Sequence, residues 1–208
     1  MSFFGSKNKN PPVKIETEYF SLEDWWLSDF TEEERNYIEK TYQPMGFDGL
    51  TPLTSIISST SQSVFGLLWQ LSGWFIKTDD RKIAYRILKK AEELADNSTN
   101  IIDVHFFYMN KVIIYYKSRN VDSNALEYAI EACKQQIRIA PKVKEAFQLE
   151  YPNAPLPGHS GFKQLAIIEE KQNMFESVIE LAEKALSQGW SGDWGKRIER
   201  CKKKLKTK

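Results

Sequence analysis

Residues 162–186 read FKQLAIIEEKQNMFESVIELAEKAL, and the alternation of large and small side chains in this stretch decides the fold. Phe162, Leu165 and Ala166 stand at i, i+3 and i+4, so they share one face of a helix. Val178, Ala182 and Ala185 share a face of a second helix. Bulky residues on the first helix fill the holes left by small residues on the second. The small residues in turn let two antiparallel helices approach closely.

The same arrangement recurs upstream. LWQLSGWF at 68–75 precedes IAYRILKKAEEL at 83–94. Leu68, Leu71, Ser72 and Phe75 take the places on the first helix, and Ala84, Leu88 and Ala91 those on the second. Leu68 and Ala84 lie sixteen residues apart, as do Phe162 and Val178. A looser middle unit has Ala129, Cys133 and a closing Pro141, with an insertion around 120–124 and Gln136 in place of a small residue.

These three units resemble the tetratricopeptide repeat, whose pattern runs Trp, Leu, Gly and Tyr on the first helix and Ala, Phe, Ala and Pro on the second. The resemblance covers roughly residues 62–205. In the third unit Glu169 stands for the Tyr and Val178 for the Ala, and the closing Pro is absent. Ala84, Ala129 and Val178 are 45 and 49 residues apart rather than the family's 34. The fold class expected is therefore all-α: antiparallel helix hairpins stacked as a short, irregular α-solenoid.

Around these units the chain divides into three parts. Residues 1–14 read as a flexible lead and 15–60 as an aromatic-rich helical segment with a loop. Residues 61–208 read as the repeat domain, closed by a basic capping helix that begins near Asp193. Thr31 followed by Glu34 is a capping box opening a helix toward Tyr42, with Pro44 and Gly46 beyond it. Ser21 and Asp24 open a shorter helix before it. Helices are expected over 64–76, 79–95 and 102–117. Asp122 caps the next one, and Pro141 opens a further short one. Residues 151–161 are a proline-rich loop. No stretch alternates cleanly enough to predict a strand.

Composition narrows the function. The 208 residues are 41% hydrophobic and 27% charged, which predicts a packed domain. A net charge of +1 gives no overall basic character for nucleic acid. The charge is segregated, however. Residues 16–39 hold nine acids against Arg35, and residues 196–208 hold eight bases against Glu199. These ends can attract each other within one chain or between two, the second being compatible with a homo-oligomer. The longest apolar run, 64–76, falls short of the roughly 20 residues of a bilayer span. Two cysteines without metal spacing and no apolar leader point to a reducing, cytoplasmic setting.

What the resemblance implies about sites is a concave face lined by the first helix of each unit. That assigns Trp69, Gly73 and Ile76 from one unit and Lys163, Ile167 and Glu170 from another to a groove for a peptide or partner. Asn110 and Lys111, a polar pair within HFFYMNKVIIYY, need partners and are assigned to the same groove. Ile167 stands where a Lys-x3-Arg carboxylate grip requires Arg, so that specificity is not carried over. Arg200, Lys202, Lys203 and Lys204 are candidate anion contacts.

Catalytic patterns are lacking. His105 and His159 show no zinc spacing. Ser160 in GHSG misses the nucleophile-elbow spacing. Glu169 and Glu170 read as a solvated face. The expected function is a protein-interaction scaffold, without metal or cofactor and without catalysis. The alternatives are a nucleic-acid- or membrane-associated regulator using the basic tail, and an enzyme with an unrecognised site.

Overall fold

In the computed structural model, residues 14–45, 52–57, 59–96 and 99–207 are described. The protein is all-helical: ten α-helices span the described residues. The only strand pairing among them is a two-residue antiparallel ladder, β1 (Lys14–Ile15) against β2 (Ile56–Ile57). The chain separates into two compact units, Met1–Leu67 and Leu68–Lys208.

The first unit holds α1 (Glu16–Tyr19), α2 (Glu23–Asp29), α3 (Glu32–Thr41) and a 3-10 turn at Pro52–Thr54. The capping box at α3 is present: the Glu34 N–H donates to Thr31 Oγ1 at 3.2 Å, and the Thr31 N–H donates to Glu34 Oε2 at 3.0 Å. Trp25 and Trp26 both set their rings against Phe30. Trp26, Phe30, Ile38 and Tyr42 are buried. Each such side chain contributes roughly 1.5–3 kcal/mol through removal from water.

α4 (Val64–Ser72) carries the boundary between the units. It stops at Ser72 rather than running to Ile76, because the chain turns at Gly73 and Trp74. Residues 79 and 80 belong to a 3-10 turn, Thr78–Asp80, and α5 (Arg81–Leu94) follows it. α5 buries Ile83, Ala84, Ile87, Leu88 and Ala91, the stripe its spacing predicts.

α6 (Ile101–Ser118) starts where Asn100 Oδ1 accepts the Ile102 N–H at 2.8 Å. α7 (Ala125–Glu150) is one continuous helix, and Pro141 opens no new element. Proline inside a helix costs about 3 kcal/mol. The buried stripe of Cys133, Ile137, Ala140, Val143 and Phe147 runs through that position without a break and outweighs the cost. Asp122 does not cap α7. Its Oδ1 accepts the Asn124 N–H and its Oδ2 accepts the Tyr85 hydroxyl, both at 3.0 Å, which ties the turn to α5.

α8 (Ser160–Lys171), α9 (Phe175–Gln188) and α10 (Trp194–Lys206) complete the second unit. The closest backbone packing joins α6 to α7, α7 to α8, α8 to α9 and α9 to α10, and α6 also packs on α8. The backbones of α4 and α5 do not approach each other as closely. One core runs from Val112 on α6 through Cys133 and Ala140 on α7, Phe162 and Leu165 on α8 and Ala182 and Ala185 on α9 to Trp194 and Ile198 on α10. A smaller core gathers Ala166, Phe175, Val178 and Cys201.

Candidate interaction surface on α8 and α10

Lys163, Ile167 and Glu170 stand four and three residues apart on α8 and so share one face. Lys163 is exposed, and Ile167 and Glu170 are half-buried. Arg197, Arg200 and Lys204 form a matching row on α10. The two rows meet at the Glu170 carboxylate. Its Oε2 accepts Arg197 Nη1 and Arg200 Nη2, each at 2.9 Å. Its Oε1 accepts Arg200 Nε at 2.9 Å and Lys204 Nζ at 3.2 Å. Arg200 thus grips the carboxylate with two parallel bonds, the strong geometry for this pair. These bonds to Arg200, then Lys204, hold the Glu170 carboxyl down at about 2.

Beside the cluster lies an open depression of about 470 Å³, bounded by Ile167, Glu170, Lys171, Asn173, Arg197, Arg200 and Lys204. Four cations face one carboxylate there, so the surface stays positive after Glu170 has bound its partners. Lys171 is held in place by the Tyr116 hydroxyl at 3.1 Å. Asn173 turns the chain toward α9 with a left-handed backbone, φ 59°. Arg197 is buried, and its Nε has no hydrogen-bond partner.

The structure therefore brings Ile167 and Glu170 together with Arg200 and Lys204, two sets that the sequence assigns to separate roles. Lys202 and Lys203 are exposed on the solvent side of α10. The other groove candidates, Trp69, Gly73, Asn110 and Lys111, are engaged within the chain. Asn110 is buried and its Nδ2 donates to the Trp69 carbonyl at 2.8 Å and to Ser72 Oγ at 3.2 Å, closing the C-terminal end of α4. Lys111 pairs with Glu92 and sits near the Phe107, Tyr108 and Tyr115 rings. Trp69 donates its indole N–H to Asp103 at 2.9 Å and stacks on Phe106. Gly73 lies against Asn110, where an added Cβ would come within 3.0 Å of the amide nitrogen. Ile76 is half-buried.

Arg197, Lys171 and Asn173 escaped the sequence reading of the site. Arg197 is three residues before Arg200 on an amphipathic helix, and that spacing is the one available signal.

Two further groups of ionisable side chains are buried. His105 and His159 sit 5.0 Å apart, ring centre to ring centre, and both contact Trp190. His159 caps α8 by accepting the Phe162 N–H on Nδ1 at 3.3 Å. Gln136 bridges the helices around them: its Nε2 donates to the His105 carbonyl at 2.9 Å and its Oε1 accepts the Gly161 N–H at 2.6 Å. Burial pulls His105 down to about 4; burial and the neighbouring His105 pull His159 down to about 3. In the first unit Glu16 and Glu39 are buried, and Thr54 Oγ1 donates to Glu39 Oε2 at 3.2 Å. Burial and the charge of Glu39 push Glu16 up to about 7.

Among the described residues no group of three or more His, Cys, Asp or Glu is placed to hold a metal ion. No described helix is long and apolar enough to cross a membrane. The chain matches no protein-family model, and no curated protein or solved structure matches it either.

Proposed function

We propose that this chain is a protein-interaction module, a short stack of tetratricopeptide-like helix hairpins that receives a peptide, helix or partner subunit along α8 and its border with α10. The observation that carries the reading is the surface itself. Lys163, Ile167 and Glu170 line one face of α8 and run directly into the positive depression formed with α10. An apolar side chain flanked by fixed charges suits an extended or helical segment better than a small metabolite, which calls for a more enclosed pocket.

The packing order supports the hairpin stack. Each helix from α6 to α10 packs on the next, and α6 packs on α8, as first helices do in successive repeats. Small residues meet large ones at the expected places: Ala182 and Ala185 join Phe162 and Leu165 in one core. Both cysteines are free and buried, which fits a reducing compartment and, with it, the cytoplasm.

Affinity capture followed by mass spectrometry, with Lys163→Glu and Ile167→Asp alongside the unmodified chain, tests the reading. Lys163 is exposed and Ile167 half-buried, and circular dichroism checks that both variants remain helical. They are expected to lose partners that the unmodified chain retains. Recovery of the same partners by all three proteins overturns the assignment. Trp69 is unsuitable as a probe, because its bond to Asp103 and its stacking on Phe106 make it part of the fold.

A further inference from the structure

The solvent side of α10 holds a glycine that the fold does not require. Gly195 lies in the first turn of a thirteen-residue helix. Its backbone is not in the left-handed region, and a Cβ built on it meets nothing within 4 Å. Glycine weakens a helix relative to alanine, because it loses more chain entropy and covers less backbone. Here that cost has no return within the chain. Glycine in such a place lets something outside approach the helix backbone closely.

The surroundings of Gly195 say what approaches. It forms part of an open trough of about 590 Å³ bordered by Lys196, Glu199, Arg200, Lys203 and Lys204. Arg200 and Lys204 also border the depression against α8, so the two hollows share these side chains. Lys196, Arg200, Lys203 and Lys204 follow at i, i+4, i+7 and i+8, a single ridge about 12 Å long at 1.5 Å per residue. Of this ridge, Glu170 answers Arg200 and Lys204, and no ion pair to it reaches Lys196 or Lys203 among the described residues.

We propose that this face of α10 docks an acidic helical segment of a partner protein, its backbone seated over Gly195 and its carboxylates spaced to meet the lysine ridge. This rests on the reading of the chain as a protein-binding module. The partner helix carries Asp or Glu at i, i+4 and i+7, with room for one base opposite Glu199. A membrane surface fits less well, since α10 exposes no large apolar side chain to enter it. A nucleic-acid strand also fits less well. The face offers no aromatic ring for stacking, and Glu199 breaks the row of cations that a continuous phosphate backbone would follow.

The test uses the full chain and a fluorescein-labelled helical peptide with Glu at i, i+4 and i+7. A Lys-for-Glu peptide, a DNA duplex and vesicles containing phosphatidylserine serve as comparators. Fluorescence anisotropy is expected to show binding of the acidic peptide alone, weakening as salt is raised. Lys196→Glu with Lys203→Glu reverses the ridge and weakens binding about tenfold or more. Gly195→Leu changes no charge and raises helix propensity, so it leaves the melting temperature equal or higher while weakening binding about fivefold.

Equal binding by Gly195→Leu overturns the proposal, as does preference for the duplex or the vesicles. If Lys163→Glu abolishes peptide binding while the three α10 substitutions do not, the α8 groove stands and the α10 site falls. If the peptide fails to bind while captured partners still depend on Lys163, the α10 site alone is lost.

Discussion

At the scale of single residues, Gln136 and Gly161 form one joint shared by three helices. The buried Gln136 amide reaches the backbone of both α6 and α8. Gly161 makes room for it: a Cβ there would lie 2.9 Å from the Cys133 carbonyl oxygen and 2.9 Å from Gln136 Oε1. Gly161→Ala is expected to cost roughly 1–3 kcal/mol by forcing α8 off α7. Gln136→Ala is expected to cost roughly 2–4 kcal/mol, from the orphaned Gly161 N–H and the cavity. The double variant costs less than the sum, because half of the clash leaves with the amide. Urea unfolding of the four proteins measures all three statements; strict additivity would contradict the shared contact.

At the scale of helices, the polar contact between α8 and α10 centres on one carboxylate. Glu170→Gln leaves the buried Arg197 guanidinium without its counter-charge. Removing one partner of a buried pair is the expensive case, here roughly 2–4 kcal/mol. Lys204→Ala removes an exposed cation and is expected to cost under about 1 kcal/mol. Native-state hydrogen exchange separates the two: protection along α10 falls sharply for the first variant and little for the second. Comparable losses would mean that Arg197 is not the residue at stake.

Helices were legible where the apolar period was unbroken, as in α5, α8 and α9. They were misread where a local rule met a tertiary one. Pro141 is a helix opener by local preference, yet α7 passes through it because its stripe is buried on both sides. The site was legible in halves. The resemblance assigned Lys163, Ile167 and Glu170 to one face, and the lysine run singled out the last helix. Their meeting at Glu170 spans some thirty residues of chain and left no local signature. The same separation hid the edge-on contact of His105 with His159.

At the scale of the molecule, the two units respond to acid in opposite directions. In the second unit His105 and His159 titrate below the ordinary value of 6.5. Depressed histidines stabilise the fold above pH 6.5, and the contribution is lost as pH falls toward 4 and 3. At pH 5 the loss is about 2 kcal/mol per ring. In the first unit Glu16 titrates near 7, above its ordinary 4.5. A raised carboxyl stabilises the fold fully below 4.5, and the contribution is lost as pH rises through 7. Glu170, held at about 2, adds no pH dependence near 5. Hydrogen exchange at pH 5 and pH 8, corrected for intrinsic rates, is expected to show α1 and α3 better protected at pH 5 and α6 and α8 better protected at pH 8. Glu16→Gln flattens the first trend and His159→Asn, which keeps a helix cap, reduces the second. Parallel trends in both units would contradict the buried states of these groups.

The two thiols carry a last consequence. Cys133 lies inside α7 with its proton held to about 12 by burial, and Cys201 is buried on α10 with its acidity also reduced. Neither offers a thiolate to oxidants or alkylating dyes while the helices stay docked. Each sulfur is thus a silent reporter: a colour reaction at Cys201 times the lifting of the last helix, and one at Cys133 times the opening of the centre, with no label added to the chain.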